Sequence, residues 1–518
     1  MKKILIASLT LLALSSCGLQ VRGTSSNNGG NTNTGGNPNI GGETFTVGGQ
    51  ASGIPIGKDV KVSVDGGQYS IDNNGSFVFP IQFKPGETFD VDVVTGPGGA
   101  YACTLQNDTG KITNANITNV TLDCSCAVGS LGTGAGTPAD PFLVYTADQL
   151  NNIAITASAT AFSKKYKQVC DLDYADISPK PIGQQSNPFM GVYDGNDFYI
   201  LNYDSSQNVP SLNRKKGLFG YTFAAWLKNI NLKNINLVAD AGMGTTSNPA
   251  NMGALVGTAS ETSIEHVYAQ DISINNNGNY FHGIGGLVGN QTQNNQSGNS
   301  TSVGMEWIHL DNVDVYGGIS NKVAGVVGYS EIDSKKIEIT NSHIHSCAYR
   351  CGGVVGAIFN KASFLDINAI NVTVEGNEAV GGITGEILGV ISRAGFVGTV
   401  NGLTKLGKLG GIVGKGSVSD PAMNSYTASD VLSLGGTVGV GRINGSTSLI
   451  QNVAFDNTQT CLNCNISSGT SVNGDGQFRA GNHASQSSWD FVNTWCLTST
   501  YPRLKVVPNP ATCGDPGI

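Results

Sequence analysis

Six histidines are scattered along the 518 residues: His266, His282, His309, His343, His345 and His483. Only His343, Ile344, His345, Ser346, Cys347 makes a cluster. Alternate residues of a strand share a face, so positions 343, 345 and 347 could offer two imidazoles and a thiolate, a donor set that zinc accepts. Ile344 falls on the apolar position of its segment, which turns both rings outward, and Cys351 stands close enough to capture Cys347 as a disulfide. The cluster therefore reads as surface decoration, and neither a metal nor a cofactor is expected.

Other candidates weaken in the same way. Asp171 with Asp173, and Asp194 near Asp197, are carboxylate pairs of the type glycosidases or calcium sites use, yet no cluster of Arg, Lys or His accompanies them. Gly402 to Leu409 satisfies G-x-x-x-x-G-K of a phosphate loop, but Leu409 stands where magnesium needs a hydroxyl. Cys461 and Cys464 form a single C-x-x-C without a second pair, which favours a structural disulfide over redox chemistry. Tyr268, Tyr316, Tyr349 and Tyr426 recur near strand ends and could stack along one face as a sugar platform. No catalytic residue is expected.

The elements that carry these residues follow from composition. Glycine numbers 71, about twice the usual share, and only 13% of residues are charged, about half the usual quarter. A hydrophobic fraction of 39% suffices for sizeable cores, so the chain is not a disordered one. Net charge is -8 with no block of Lys or Arg, which excludes the electrostatic footprint of a nucleic-acid binder.

From Gly217 onward the glycine falls into a repeat. GLFG ends at Gly220, and five-residue units follow, ending at Gly257 (GALVG), Gly289 (GGLVG), Gly328 (AGVVG), Gly356 (GGVVG), Gly385 (GGITG), Gly414 (GGIVG) and Gly439 (GGTVG). A period of roughly 28 residues with insertions signals a solenoid. Between the units lie alternating apolar runs such as LKNINLKNINL (Leu227 to Leu237), whose face shifts at Lys233-Asn234. Gly and β-branched residues dominate and helical spacing is absent, so the repeat reads as coils of parallel β-structure. Glycine would allow positive φ at corners, and Asn tolerates the same region.

Residues 45–125 alternate differently. Val60, Val62, Val64 and Phe89, Val91, Val93 are separated by the turn signals Asp65-Gly66, Asn74-Gly75 and Pro97-Gly98, the pattern of a small β-sandwich. Immunoglobulin-like and prealbumin-like forms both fit, and a spacer role is expected. Residues 18 to 44 hold almost no apolar side chains and read as a tether.

The first sixteen residues combine Lys2 and Lys3 with an apolar stretch from Ile4 to Leu14, a secretory signal. Leu14-Ser15-Ser16-Cys17 resembles the lipobox of bacterial lipoproteins, which implies acylation of Cys17 and stable anchoring by more than one chain. Gly18 in place of Asp is similar to the pattern that sends such proteins to the outer membrane. Removing Cys17 leaves ten cysteines in an oxidising compartment, an even set that suggests disulfides. Proximity pairs Cys103 with Cys124, Cys126 with Cys170, Cys347 with Cys351, Cys461 with Cys464, and Cys496 with Cys513.

The glycine units resemble the GLUG motif of bacterial surface proteins. Gly136-Thr137-Pro138-Ala139-Asp140-Pro141-Phe142 followed by Thr146 to Ile153 looks like that family's opening segment with its short helix. FMGVYDGNDF (Phe189 to Phe198) and the closing Trp489-Asp490-Phe491, Trp495 and Tyr501-Pro502-Arg503-Leu504 extend the likeness over roughly residues 132 to 506. It implies a right-handed parallel β-helix. Similar repeats occur upstream of the protease domain in immunoglobulin A-cleaving metalloproteases, but no H-E-x-x-H zinc signature exists here.

The expected architecture is all-β. A signal (1–16), a lipidated tether (17–44) and a sandwich (45–125) precede a β-helix with caps (126–506) and a tail (507–518). The expected function is a non-catalytic, adhesin-like scaffold anchored at an outer membrane or cell surface and binding glycan or protein. A β-helix polysaccharide lyase or hydrolase is the alternative, and a structural envelope protein the third.

Overall fold

The computed structural model describes residues 42–155, 162–207, 214–293, 304–404, 407–416, 421–433, 439–441, 443–445, 450–464, 469–474, 476–481, 483–498 and 501–505. Cys17, Cys513 and positions 435–438 lie outside them. The chain divides into two compact units after Ala127.

The first unit has strands β1 (Val47–Ser52), β2 (Val60–Val64), β3 (Gly67–Ile71), β4 (Gly75–Val78), β5 (Thr88–Thr95), β6 (Tyr101–Gln106), β7 (Thr109–Lys111) and β8 (Ile117–Cys126). They form two four-stranded sheets, ordered β4-β1-β8-β6 and β3-β2-β5-β7. The alternation sends Val60, Val62, Val64, Phe89 and Val91 into a core shared with Phe77 and Phe79. Asp65 (φ 47°) and Gly66 (φ 76°) both take positive φ, the requirement of the two-residue turn that matches strand twist. Cys103 and Cys124 stand opposite each other on β6 and β8 and are bridged.

The second unit opens with strand Phe142–Val144, at one end of its broad sheet, followed by helix α1 (Ala147–Ile155). Thr146 Oγ1 accepts from Gln149 N, and Gln149 Oε1 accepts from Tyr145 N, so the two side chains close the start of the helix reciprocally. Thereafter the chain coils as a parallel β-helix. A representative coil has one long strand, Ser334–Cys347, on a broad sheet, and two short ones, Arg350–Gly352 and Val355–Ile358, on two narrow sheets. Twelve strands succeed one another along the main path of the broad sheet, so at about 4.8 Å per coil the stack is on the order of 50 Å long. Successive coils pair in parallel register, Ile230, Val267, Ile308, Ile337 and Ile367 forming one column. Their side chains are buried in a single core running from Val144 to Val453. Each such residue contributes about 1.5–3 kcal/mol, and one coil alone would leave its faces uncovered.

The long strands bend twice at residues in the left-handed region. The first bend runs through Asn229, His266, Trp307, Lys336, Asp366, Arg393, Asn424 and Asn452. The second runs through Asn202, Asn234, Asp271, Asn312, Asn341 and Asn371, so Asn234 is the face shift seen in the sequence. Amides ladder from coil to coil here: Asn234 Nδ2 donates to Asn202 Oδ1 at 2.6 Å and Asn371 Nδ2 to Asn341 Oδ1 at 2.8 Å.

The repeat glycines have a different cause from the one expected. None of Gly257, Gly289, Gly328, Gly356, Gly385 and Gly414 has positive φ. They sit where the outward faces of the two narrow sheets touch. A Cβ would lie 2.7 Å from Lys216 N at Gly257, 2.5 Å from Met252 N at Gly289, 2.8 Å from Val323 N at Gly356 and 2.5 Å from Val380 N at Gly414. Strand register aligns Gly220 with Gly257 and extends the column back to Gly183.

The last unit is corrected. Gly439 pairs with Lys408, and Val413 pairs with Asn444, so Gly445 takes the closing position. A Cβ at Gly445 would lie 2.6 Å from Gly414 O, and Ile443 fills the core beneath it. Two glycine clusters compete in that stretch, and core burial of Ile443 selects the second.

Finally, residues 484–498 and 501–505 fold back over the broad sheet's outer face. Tyr426, Phe478, Trp489, Trp495 and Tyr501 form a separate core there. Trp489 Nε1 donates to Asn424 O at 2.9 Å and Trp495 Nε1 to Asp366 Oδ1 at 3.0 Å.

Candidate functional site

Three of these carboxylates accept backbone hydrogen bonds, two of them within turns. Asp171 Oδ1 accepts from Tyr199 N, Asp173 Oδ1 from Ala175 N, and Asp194 Oδ1 from Asn196 N. Leu409 is buried in the core, and residues 405–406 of the phosphate-loop match lie outside the described residues. Cys347 is bonded to Cys351 and Cys461 to Cys464, while Cys126, Cys170 and Cys496 are each disulfide-bonded. The tyrosines form no common stripe. Tyr268 aligns with His309 and Glu338, Tyr316 aligns with His345, and Tyr426 is buried beneath the C-terminal segment.

The feature with the densest chemistry is the seam between the narrow sheets. At its base, glycines bring backbone against backbone. At its mouth, the next outward residues face one another, Asn251 against Thr258 in one coil, Lys322 against Tyr329 two coils on. Asn251 Nδ2 donates to Thr258 Oγ1 at 2.9 Å. Lys322 Nζ lies 2.7 Å from His282 Nε2 and 4.7 Å from the centre of the Tyr329 ring. Arg350 follows, paired through Nε with Glu386 and donating through Nη1 to Asn321 Oδ1 at 2.8 Å. Lys415 reaches Glu386 Oε1 at 2.8 Å. Sheet register thus strings polar and charged residues over six coils.

Burial tunes this row. It lowers the Lys322 ammonium to about 8, helped by Arg350 and opposed by Glu386 and Glu331. Burial, then Lys322, Lys215 and Arg350, bring the His282 imidazole down to about 4, so the ring is neutral beside its cationic neighbour. Glu386 is lowered, since the hydrogen bonds and charges of Lys415 and Arg350 outweigh its burial. One acceptor is left over. Asn290 is 8% exposed, its register places it opposite Gly283, which has no side chain to meet it, and its Oδ1 has no partner. Buried acceptors normally find one.

A second charged node lies on the broad sheet. Glu338, 1% exposed, accepts from Arg503 Nε (2.8 Å), Leu504 N (3.0 Å) and Asn368 Nδ2 (2.7 Å), with His309 Nδ1 at 3.2 Å. Burial alone would raise its carboxyl, but His309 and Arg503 win and hold it at about 2. All four partners come from this chain, so the node reads as a latch for the C-terminal segment.

Sequence reasoning missed the seam because its charged partners, such as Arg350 and Glu386, sit on different coils. Aligning the glycine units would have superposed Lys322 on Arg350 and Tyr329 on Glu386. Among the described residues, no helix is long and apolar enough to cross a membrane.

The chain matches no known family model. It is similar to the immunoglobulin A1 protease of Streptococcus sanguinis, 23% identical over 239 residues, which is 45% of this chain and 10% of that protein. The chain therefore spans about a tenth of the length of that relative. Among solved structures, it overlays on a candidate immunoglobulin A1 protease from Bacteroides ovatus at 16% identity and a TM-score of 0.36, covering 72% of this chain and 94% of the other. A second overlay, on an IgA1 protease, has 12% identity and a TM-score of 0.32, covering 91% of this chain and 33% of the other.

Proposed function

We propose that this chain is an exported surface protein, anchored through acylated Cys17, whose solenoid binds an acidic glycan along the seam. The observation that carries the reading is the seam's mouth: Lys322, Arg350 and Lys415 gather there, three cations against the carboxylates of Glu386 and Glu331, in a protein of net charge -8, beside the unpartnered acceptor of Asn290. Tyr329 adds a partly exposed ring of the kind that sugars stack on. The signal-like N-terminus, the GLUG-like repeats and the likeness to an immunoglobulin A1 protease support export. No zinc-peptidase role is part of this proposal, since the 518 residues contain no His-Glu-x-x-His signature.

A glycan array probed with the full chain tests the proposal. Binding to uronate- or sialate-bearing glycans above neutral ones is expected, with Lys322→Met plus Arg350→Met weakening it at least tenfold. Equal binding to neutral glycans, or no effect of the double variant, would sink it.

A polysaccharide-degrading reading has one observation in its favour. Lys322, lowered to about 8, can act as a base at mildly alkaline pH. Release of unsaturated products or reducing ends from a bound glycan would establish it over simple binding.

A further inference from the structure

We infer that Asp314, His343 and His345 form a binding site for a first-row transition-metal dication of the zinc type, built across two coils of the broad sheet. The sequence offers the two imidazoles but the wrong third ligand. Cys347 is fully buried and bonded to Cys351. The third donor comes instead from the preceding coil, where sheet register sets Asp314 directly beside His343 and Tyr316 beside His345.

The distances suit a metal. Asp314 Oδ1 lies 3.3 Å from His345 Nε2 and 3.7 Å from His343 Nδ1, and one donor atom from each residue falls within 4.8 Å of the others. With zinc–nitrogen and zinc–oxygen bonds of about 2.0–2.1 Å, donors at the corners of a tetrahedron stand roughly 3.3 Å apart. Small side-chain rotations close the difference, and these groups are free to make them, the imidazoles being 45% and 25% exposed and the carboxylate 56%.

The ring orientations add a second reason. The two imidazoles stack with centroids 4.5 Å apart and planes 11° from parallel, which keeps a nitrogen of each ring within reach of the Asp314 carboxylate. His343 turns its other nitrogen, Nε2, toward Glu375 Oε2 at 3.6 Å, and Asn401 Nδ2 holds Glu375 Oε1 at 2.9 Å. A carboxylate behind a ligating histidine fixes the ring and raises its basicity. The edge of Tyr316 packs on His345 at 5.4 Å between centroids. Imidazole with carboxylate suits zinc, nickel or copper and does not suit calcium, which prefers all-oxygen shells. Three protein donors leave a position open to solvent or to a ligand group.

The test is calorimetric titration of the full chain, carrying no polyhistidine tag, with zinc chloride and separately with calcium chloride at pH 7.4. One equivalent of zinc and no calcium uptake at this site are expected. Asp314→Asn and His345→Ala should each weaken zinc binding at least tenfold. Glu375→Gln should weaken it about tenfold through His343 alone, and His266→Ala, on a different face position, should change nothing. Far-UV circular dichroism of the metal-free variants checks that the coils persist. Absence of a zinc equivalent, equal competition by calcium, or unchanged affinity in the folded His345→Ala chain would overturn the assignment.

Discussion

The narrow seam and the broad sheet solve the same problem, turning the chain once per coil, by opposite means. At the seam the side chain is removed: glycines with ordinary φ let two backbones meet. On the broad sheet the side chain is kept and the backbone is strained: asparagines at φ near 50–57° ladder their amides from coil to coil. A seam defect is therefore a collision between main chains with nowhere to move. A defect on the broad sheet is a lost hydrogen bond or a modest conformational preference, which neighbouring side chains can absorb.

The sharpest test of that contrast is Gly356→Ala. The added carbon would meet Val323 N at 2.8 Å and the Gly328 carbonyl closer still, and both are backbone atoms of paired strands. Overpacking that cannot relax falls at the upper end of the usual range, about 3 kcal/mol or more. Because coils couple mainly to their neighbours, loss should appear first as hydrogen exchange of residues 322–330 and 350–358. Unchanged exchange there would break the comparison.

Glu338→Gln comes next. It removes the charge that Arg503 and His309 face inside a closed surface, and breaking such a buried pair costs about 3 kcal/mol. The wild-type carboxyl is held at about 2, below its ordinary value of 4.5. Its stabilisation is therefore complete above about pH 4.5 and disappears as pH falls toward 2. Trp489 and Trp495, held by the segment that Glu338 latches, should change fluorescence in that window while far-UV dichroism of the coils persists. Joint loss of both signals would mean that the segment and the coils form one cooperative unit.

Much of the solenoid was legible in the sequence because its period is written in residues that do one thing. The glycine units marked the coils, Ile344 marked the inward position that turns His343 and His345 out, and Asn234 marked a bend. Lateral partners were not legible. Asp314 meets His343, and Arg350 meets Glu386, only through coil-to-coil register, and insertions of varying length hide that register from spacing. The Gly439 reading failed for the same reason, since a local motif cannot tell which of two glycine clusters closes a coil. The first bend column carried even less signal, because it admits His266, Trp307, Lys336 and Arg393 in the left-handed region. There Lys336 sits 4.1 Å above Trp307 and Arg393 grips Asp366 at 2.7 Å, so tertiary contacts offset a backbone preference that residue type alone would deny.

At the seam's mouth, where side chains return, the response should soften. Lys322→Met removes a group whose ammonium is lowered to about 8 from 10.5. Between those values the unfolded chain holds a proton the folded one has released, so wild-type stability rises with pH from about 8 to 10.5. The variant should lose that rise, at most about 3 kcal/mol for a shift of this size, and melt no lower than wild type at pH 7. A lower melting point at pH 7 would show Lys322 to be part of the seam's closure.

The smallest effect belongs to the bend. Asn371 holds φ of 57° and donates to Asn341 Oδ1 at 2.8 Å. Asn371→Gly keeps the conformation and loses only the amide bond, so about 0.5–1 kcal/mol is expected. Asn371→Ala loses the bond and must also hold a left-handed φ, adding roughly 1 kcal/mol. Thermal melts of the two should therefore rank glycine above alanine, while at Gly356 any side chain is worse than none by a wider margin. If Asn371→Ala instead matched Gly356→Ala, the broad sheet's bends would be as sterically closed as the seam, and the two ways of turning the coil would be one.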